Sequence, residues 1–279
     1  MASRSVDRDL LVAWAPSAPS GGGKEERGRV LVIGGDVGTP GGVLLAGEAA
    51  LRVGAGKLQI GCAPEAVAAL AVAVPEALVV DRAEMSALAA EADAVLIGPG
   101  IGDADEASRI VKGLLPELEN VPLVLDALAL AAADLVTGRS APTVLTPNPT
   151  EAARALDRDE LGDEVAAAVE LASRTGAVVA LGSELSVCAG PGGPVWTDNS
   201  GDSGLGVSGS GDVKAGAVAG LLARGLAPER AAVLATWLHA RAGERCGPIG
   251  YLAREIAAEL PHALAELSGA DGRDTATQG

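Results

Sequence analysis

Ser208-Gly209-Ser210-Gly211-Asp212 runs directly into the small-residue stretch 213–220, which reads as a helix. This sets flexible backbone amides and one carboxylate at a helix N-terminus. Unpaired N–H groups and the positive dipole end attract a phosphate there, and glycine lets a ligand approach closely. A carboxylate beside bound phosphate repels it, so Asp212 points to a proton acceptor or orienting group acting on a hydroxyl poised for phosphoryl transfer. The same residues also read as a plain loop with Asp212 as a first-turn acid favoured by the dipole, and the motif alone does not separate the two readings.

Three further loops have the composition of ligand sites. Residues 33–42, 97–102 and 145–151 each follow a β-branched run and are rich in Gly or Pro, so their backbone can meet a ligand. In open α/β sheets, ligands sit beyond the carboxyl ends of the strands. No G-x-x-x-x-G-K-[ST] occurs, which excludes a Walker-type loop. Gly204-Leu205-Gly206-Val207-Ser208-Gly209 has Rossmann spacing but follows polar residues in place of a strand. His239 and His262 read as core histidines, and Lys214 as a solvated helix lysine.

The elements that must carry these loops alternate. Runs at 30–33, 57–61, 77–80, 94–97, 123–126, 143–145 and 177–181 read as strands separated by Ala-rich helices, the pattern of a mostly parallel sheet with helices on both faces. Runs at 186–189 and 194–197, joined by Gly190-Pro191-Gly192-Gly193, predict an antiparallel hairpin at the sheet edge. Three more helices follow from about residue 211. The reading is one α/β domain over 28–268, with a mobile arm over 1–27 and a flexible tail over 269–279.

Composition narrows the function classes. The chain has 279 residues, no Phe, one Tyr and 48% hydrophobic residues, so its core must be built from small aliphatic side chains. A net charge of −16 argues against a nucleic-acid partner, although backbone amides can still bind a nucleotide. Cys62, Cys188 and Cys246 fit neither a disulfide framework nor a metal-ligand spacing and read as buried thiols. No apolar run approaches membrane-span length, and a soluble cytoplasmic protein is expected.

In order and spacing, segments 28–35 and 40–56, Pro75-Glu76, residues 97–102, and residues 209–213 with Gly216 resemble the ADP/ATP-dependent NAD(P)H-hydrate dehydratases. These form a branch of the ribokinase-like superfamily, and the similarity runs over about 24–267. The resemblance implies repair of hydrated NADH or NADPH at the expense of ADP or ATP, through phosphorylation of the ring hydroxyl and loss of phosphate. It implies Asp212 as the base and Gly42, Gly100, Asn148 and Asp212 as contacts of the hydrated dinucleotide, and Asp36 and Asp126, which end strands nearby, are taken with them as substrate-binding residues. It implies nucleotide contacts at Gly182, Ser183, Glu184, Leu185 and Gly211, with the Gly209, Ser210 and Gly211 amides on the transferring phosphoryl. Magnesium on the nucleotide and a homo-oligomer, commonly a tetramer, are implied as well; no metal ligands can be assigned.

The chain departs from the family pattern in its loops. Asn148 stands where the family has a substrate-contacting His, and Leu181 stands where it has a Lys that neutralises phosphate; Lys214, where the family favours an apolar residue, reads either as a compensating cation or, in preference, as a solvated helix lysine. Such changes suit a dehydratase with altered nucleotide preference. They also suit a small-molecule alcohol kinase of the superfamily, or a nucleotide-binding paralogue without activity.

Overall fold

Alternate residues of each β-branched run face opposite sides of one sheet, because successive side chains on a strand point to opposite faces. The structure, a computed structural model, describes residues 3–16, 23–201 and 203–268. The strands are β1 (Ser3–Ser5), β2 (Arg29–Ile33), β3 (Lys57–Cys62), β4 (Ala77–Asp81), β5 (Ala94–Ile97), β6 (Leu123–Leu125), β7 (Thr143–Leu145), β8 (Val178–Leu181), β9 (Ser186–Ala189) and β10 (Val195–Asp198). Among the described residues they form one sheet in the order β1-β10-β9-β8-β7-β6-β5-β2-β3-β4. From β4 to β8 every pairing is parallel, for example Val30 with both Leu58 and Ala94, and β8–β9 and β9–β10 are antiparallel.

The helices are α1 (Arg8–Trp14), α2 (Gly41–Arg52), α3 (Val67–Ala73), α4 (Met85–Ala90), α5 (Ala104–Leu114), α6 (Pro149–Ala155), α7 (Glu164–Thr175), α8 (Ser210–Ala223), α9 (Pro228–Cys246) and α10 (Ala253–Leu267). Val30, Val32, Leu96, Val124, Val144 and Ala180 pack into one buried layer with α2, α8, α9 and α10. Leu31, Ile33, Ile97, Leu125, Leu145 and Leu181 pack into the other, with α5, α7 and the 3-10 segment Ala127–Val136. A sheet buried on both faces accounts for the continuous apolar runs of its strands.

Residues 3–16 do not behave as the expected mobile arm. β1 pairs in parallel with β10 and extends the sheet beyond the hairpin. Leu11 is buried, and Trp14 meets Trp196 edge-on at 5.3 Å. A three-residue strand shows no periodicity, so its polar Ser3-Arg4-Ser5 sequence hides the pairing. Residues 17–22 and the 269–279 tail lie outside the described residues. His262 is exposed, with Nδ1 3.3 Å from Glu259, in contrast to the core position expected for it. Cys62 and Cys188 are buried as expected, whereas Cys246 is partly exposed.

Glycine spacing on α8 sets the closest helix contact. A Cβ at Gly216 would run into the carbonyl of Ala46, and one at Gly220 into that of Ala50, so α2 and α8 touch backbone to backbone. Every residue from Val213 to Ala223 of α8 is buried. We expect Gly216→Ala to lower unfolding stability by about 1–3 kcal/mol through overpacking. Gly113→Ala, at an open position within α5, should leave stability unchanged or slightly raised. Denaturant unfolding of the two variants measures the contrast.

Candidate active site

The parallel strands β6, β7 and β8 end together, and the residues that follow them face the amino end of α8 across a cleft of about 800 Å³. Asp126 comes from the end of β6, Thr146 from β7, Gly182 to Glu184 from β8, Asp212 and Lys214 from α8, and His239 from α9. This is the position at which open α/β sheets bind ligands.

Gly209 caps α8 in a left-handed conformation, φ +89°, which a side chain rarely adopts. Ser210 N donates to Val207 O, and Val213 N donates to Gly209 O. Between them, the amides of Gly211 and Asp212 have no acceptor among the described residues. Gly211 has open space where a Cβ would be. Two unpaired N–H groups at a helix N-terminus beside an open face can hold an anion. Ser210 itself is buried, and its Oγ bonds His239 Nε2 at 2.8 Å, so its hydroxyl is committed to the helix-helix contact. Burial, reinforced by the charge of Lys214, pushes His239 down to about 3, which keeps the imidazole neutral. His239 is thus the hydrogen-bonded core histidine expected.

Three carboxylates meet here. Burial raises Asp212 to about 6, and the charge of Glu151 adds to the effect. Asp126 is raised to about 7, first by burial and then by the charge of Asp212, against the opposing hydrogen bond from Thr146 Oγ1 to its Oδ1 at 2.7 Å. A carboxylate with its affinity for protons raised towards neutrality is a better general base than an exposed one. Thr146 and Glu151 were not assigned roles from sequence. For Glu151 the signal was present, because Asn148 three residues before it makes a capping box.

That box alters the reading of Asn148. Its Oδ1 accepts from Glu151 N and its own N donates to Glu151 Oε2, both at 2.9 Å. The carboxamide oxygen caps α6 with one of its two lone pairs, and Asn148 also lines the cleft. Of the nucleotide-loop residues, Gly182, Ser183 and Glu184 line the cleft. Ser183 Oγ lies 2.6 Å from Glu164 Oε2, which holds the loop on α7. Leu185 does not line the cleft and is 39% exposed beside it.

Gly42, Gly100 and Asp36 are not among the cleft residues. A Cβ at Gly42 would strike the backbone of Gly100, and one at Gly100 the carbonyl of Thr39, so both glycines serve a close contact between the 33–42 and 97–102 loops. Asp36 accepts from Gly102 N at 2.8 Å and pairs with Arg82 at 2.7 Å. Its carboxylate ties the same two loops together.

Lys214 is not the solvated lysine its sequence position suggested. It is 6% exposed, and its Nζ donates to Ala180 O at 3.1 Å at the end of β8. A helix apolar on all sides is a buried helix, and that was the available signal. Magnesium was expected with the nucleotide. Among the described residues no group of three or more His, Cys, Asp or Glu side chains could hold a metal ion, so the chain offers no cage of its own.

The family model for NAD(P)H-hydrate dehydratase matches residues 30–262. A Xanthomonas campestris protein described as an ADP-dependent (S)-NAD(P)H-hydrate dehydratase is 40% identical over 283 residues, covering 95% of this chain and 97% of its own. A ribokinase-like superfamily protein of Enterococcus faecalis superposes with a TM-score of 0.84 at 25% identity, over 95% of this chain and 96% of that one. The ADP/ATP-dependent NAD(P)H-hydrate dehydratase of Bacillus subtilis, co-crystallised with ATP and Mg2+, does so with a TM-score of 0.83 at 28% identity, over 94% and 97%. The fold is ribokinase-like, and the chain belongs to the NAD(P)H-hydrate dehydratase family.

Proposed function

We propose that this chain dehydrates hydrated NADH and NADPH at the expense of ADP or ATP, in the cleft between the ends of β6–β8 and the start of α8. The observation that carries the reading is the pairing of Asp212 with the unpaired amides of Gly211 and Asp212 at an open helix end. A carboxylate there takes a proton, and the amides beside it hold negative charge.

In this reading the hydrate hydroxyl bonds to the terminal phosphorus of the nucleotide as the bridging P–O bond breaks, and its proton passes to Asp212. Phosphate then leaves with the C–O bonding pair while the neighbouring ring carbon gives a proton to water, and the C–H bonding pair restores the double bond that water had saturated. Phosphate is a far better leaving group than hydroxide, which is the chemical reason to involve a nucleotide. Magnesium, bound to the nucleotide, would neutralise phosphate charge. Asn148 contacts the substrate with its carboxamide, whose oxygen also caps α6, and Gly182, Ser183 and Glu184 border the nucleotide. Gly42, Gly100 and Asp36 hold the loops beside the site, and their part in binding the dinucleotide is indirect.

A cytoplasmic location and a homo-oligomeric assembly go with this reading. No helix among the described residues is long and apolar enough to cross a membrane.

Hydrated NADH incubated with the protein, ADP and magnesium should regain the near-ultraviolet absorbance of the reduced cofactor. A stable phosphorylated product without that recovery would mark an alcohol kinase. Adenylate binding with no turnover would mark an inactive paralogue. Asp212→Asn should lower kcat by roughly 10²- to 10⁴-fold with the fold intact by circular dichroism; full activity in that variant would remove Asp212 as the base. Because the base must be ionised, kcat/KM should fall as pH drops through about 6. Glu151→Gln, which keeps the cap but removes the charge that raises Asp212, should move that acid limb to lower pH.

A further inference from the structure

Lys214 is the one cationic side chain lining the cleft among the described residues. Its position is unusual for a lysine. It sits in a helix whose neighbours from Val213 to Ala223 are all buried, and it makes no ion pair within 4 Å among the described residues. Its one hydrogen-bond partner among the described residues is the carbonyl of Ala180, so two of its three N–H donors have no partner among them. Burial lowers its affinity for the proton, and the more distant charges of Asp126 and Glu151 offset only part of that cost. A buried ammonium without a paired anion is expensive, and a ligand that supplies the anion removes the expense.

The surroundings show which way the ammonium is open. A Cβ at Gly182 would run into Nζ, so the glycine after β8 leaves the space through which the charge reaches the loop. Leu181, just before it, faces the opposite core layer and carries no charge to the site. The unpaired amides of Gly211 and Asp212 border the same cleft and have the same sign of field. Two separate positive features thus converge on one space, one of them a side chain and the other a helix end.

We propose that Lys214 is the counter-charge for the phosphate chain of the bound adenine nucleotide, reaching it past Gly182 from beneath the end of β8. This rests on the nucleotide reading of the cleft given above. It makes Lys214 a binding residue with no part in proton transfer, and it assigns to α8 a charge that the strand-end position Leu181 does not supply.

The test compares calorimetric binding of ADP with magnesium against binding of adenosine, which lacks phosphate, for the wild type and Lys214→Met. The variant should lose on the order of tenfold to a hundredfold in ADP affinity. Adenosine affinity should be unchanged, and so should the melting temperature without ligand, or it should rise. ADP affinity within twofold of the wild type overturns the proposal, as does an equal loss for adenosine, which would mean that Lys214 only shapes the cleft. Should Lys214→Met not fold, Lys214→Gln keeps a neutral donor for Ala180 and carries the same expectation. Turnover of hydrated NADH is measured alongside. Phosphate-selective loss in a wild type that shows no turnover upholds Lys214 and removes the dehydratase reading, while turnover with unchanged ADP affinity does the reverse. A wild type that binds no ADP removes both.

Discussion

The backbone contact between α2 and α8 is the constraint from which the site follows. Gly216 and Gly220, one helical turn apart, let α8 lie against Ala46 and Ala50 without intervening side chains. With α9 and α10 completing the cover, α8 is enclosed from Val213 onward, and only its first turn emerges at the carboxyl ends of the strands. Enclosure removes water from around the helix end. The field of its unpaired amides is therefore screened less than at a surface helix, and the carboxylate in that turn is harder to ionise.

That enclosure sets the charge balance of the cleft. Burial raises the proton affinity of Asp126 and Asp212 towards neutrality, the charge of Asp212 adds to it at Asp126, and the charge of Glu151 adds to it at both. On the opposing side stand one ammonium and a helix end, with His239 kept neutral by its burial. In the reading proposed above, an anionic ligand brings the negative charge that Lys214 lacks and the acidic cluster handles protons, which would separate phosphate binding from proton acceptance within a single cleft.

Much of this was legible in the sequence where a periodic or compositional signal was strong. The strands from 30 to 197 fell where β-branched runs lie between helical stretches, and the hairpin followed from its glycine-rich turn. The position of Asp212 in the first turn of a helix was legible from the glycine and small polar residues before it, while its role was not separable there from that of a plain first-turn acid. The signal failed where tertiary contact decides the outcome. β1 is too short to show a pattern, and its pairing depends on the exposed side of β10. The close packing of the two loops was also hidden, because Gly42 and Gly100 carry a ligand-loop composition that does not show the backbone contact between them. Asn148 lines the cleft, yet its carboxamide oxygen also caps a helix. Lys214 looked solvated because one charged residue in a run of small ones reads as a surface mark until the whole helix proves to be enclosed.

The central claim is that the first turn of α8 holds the terminal phosphoryl group beside Asp212. A crystal structure of the chain with ADP and magnesium tests it most directly. The account predicts a terminal phosphate oxygen within hydrogen-bonding distance of the Gly211 and Asp212 amides, with the Asp212 carboxylate facing the open remainder of the cleft. A phosphate chain seated away from α8, or an Asp212 side chain closed over its own helix end with no room for a hydroxyl, would contradict it.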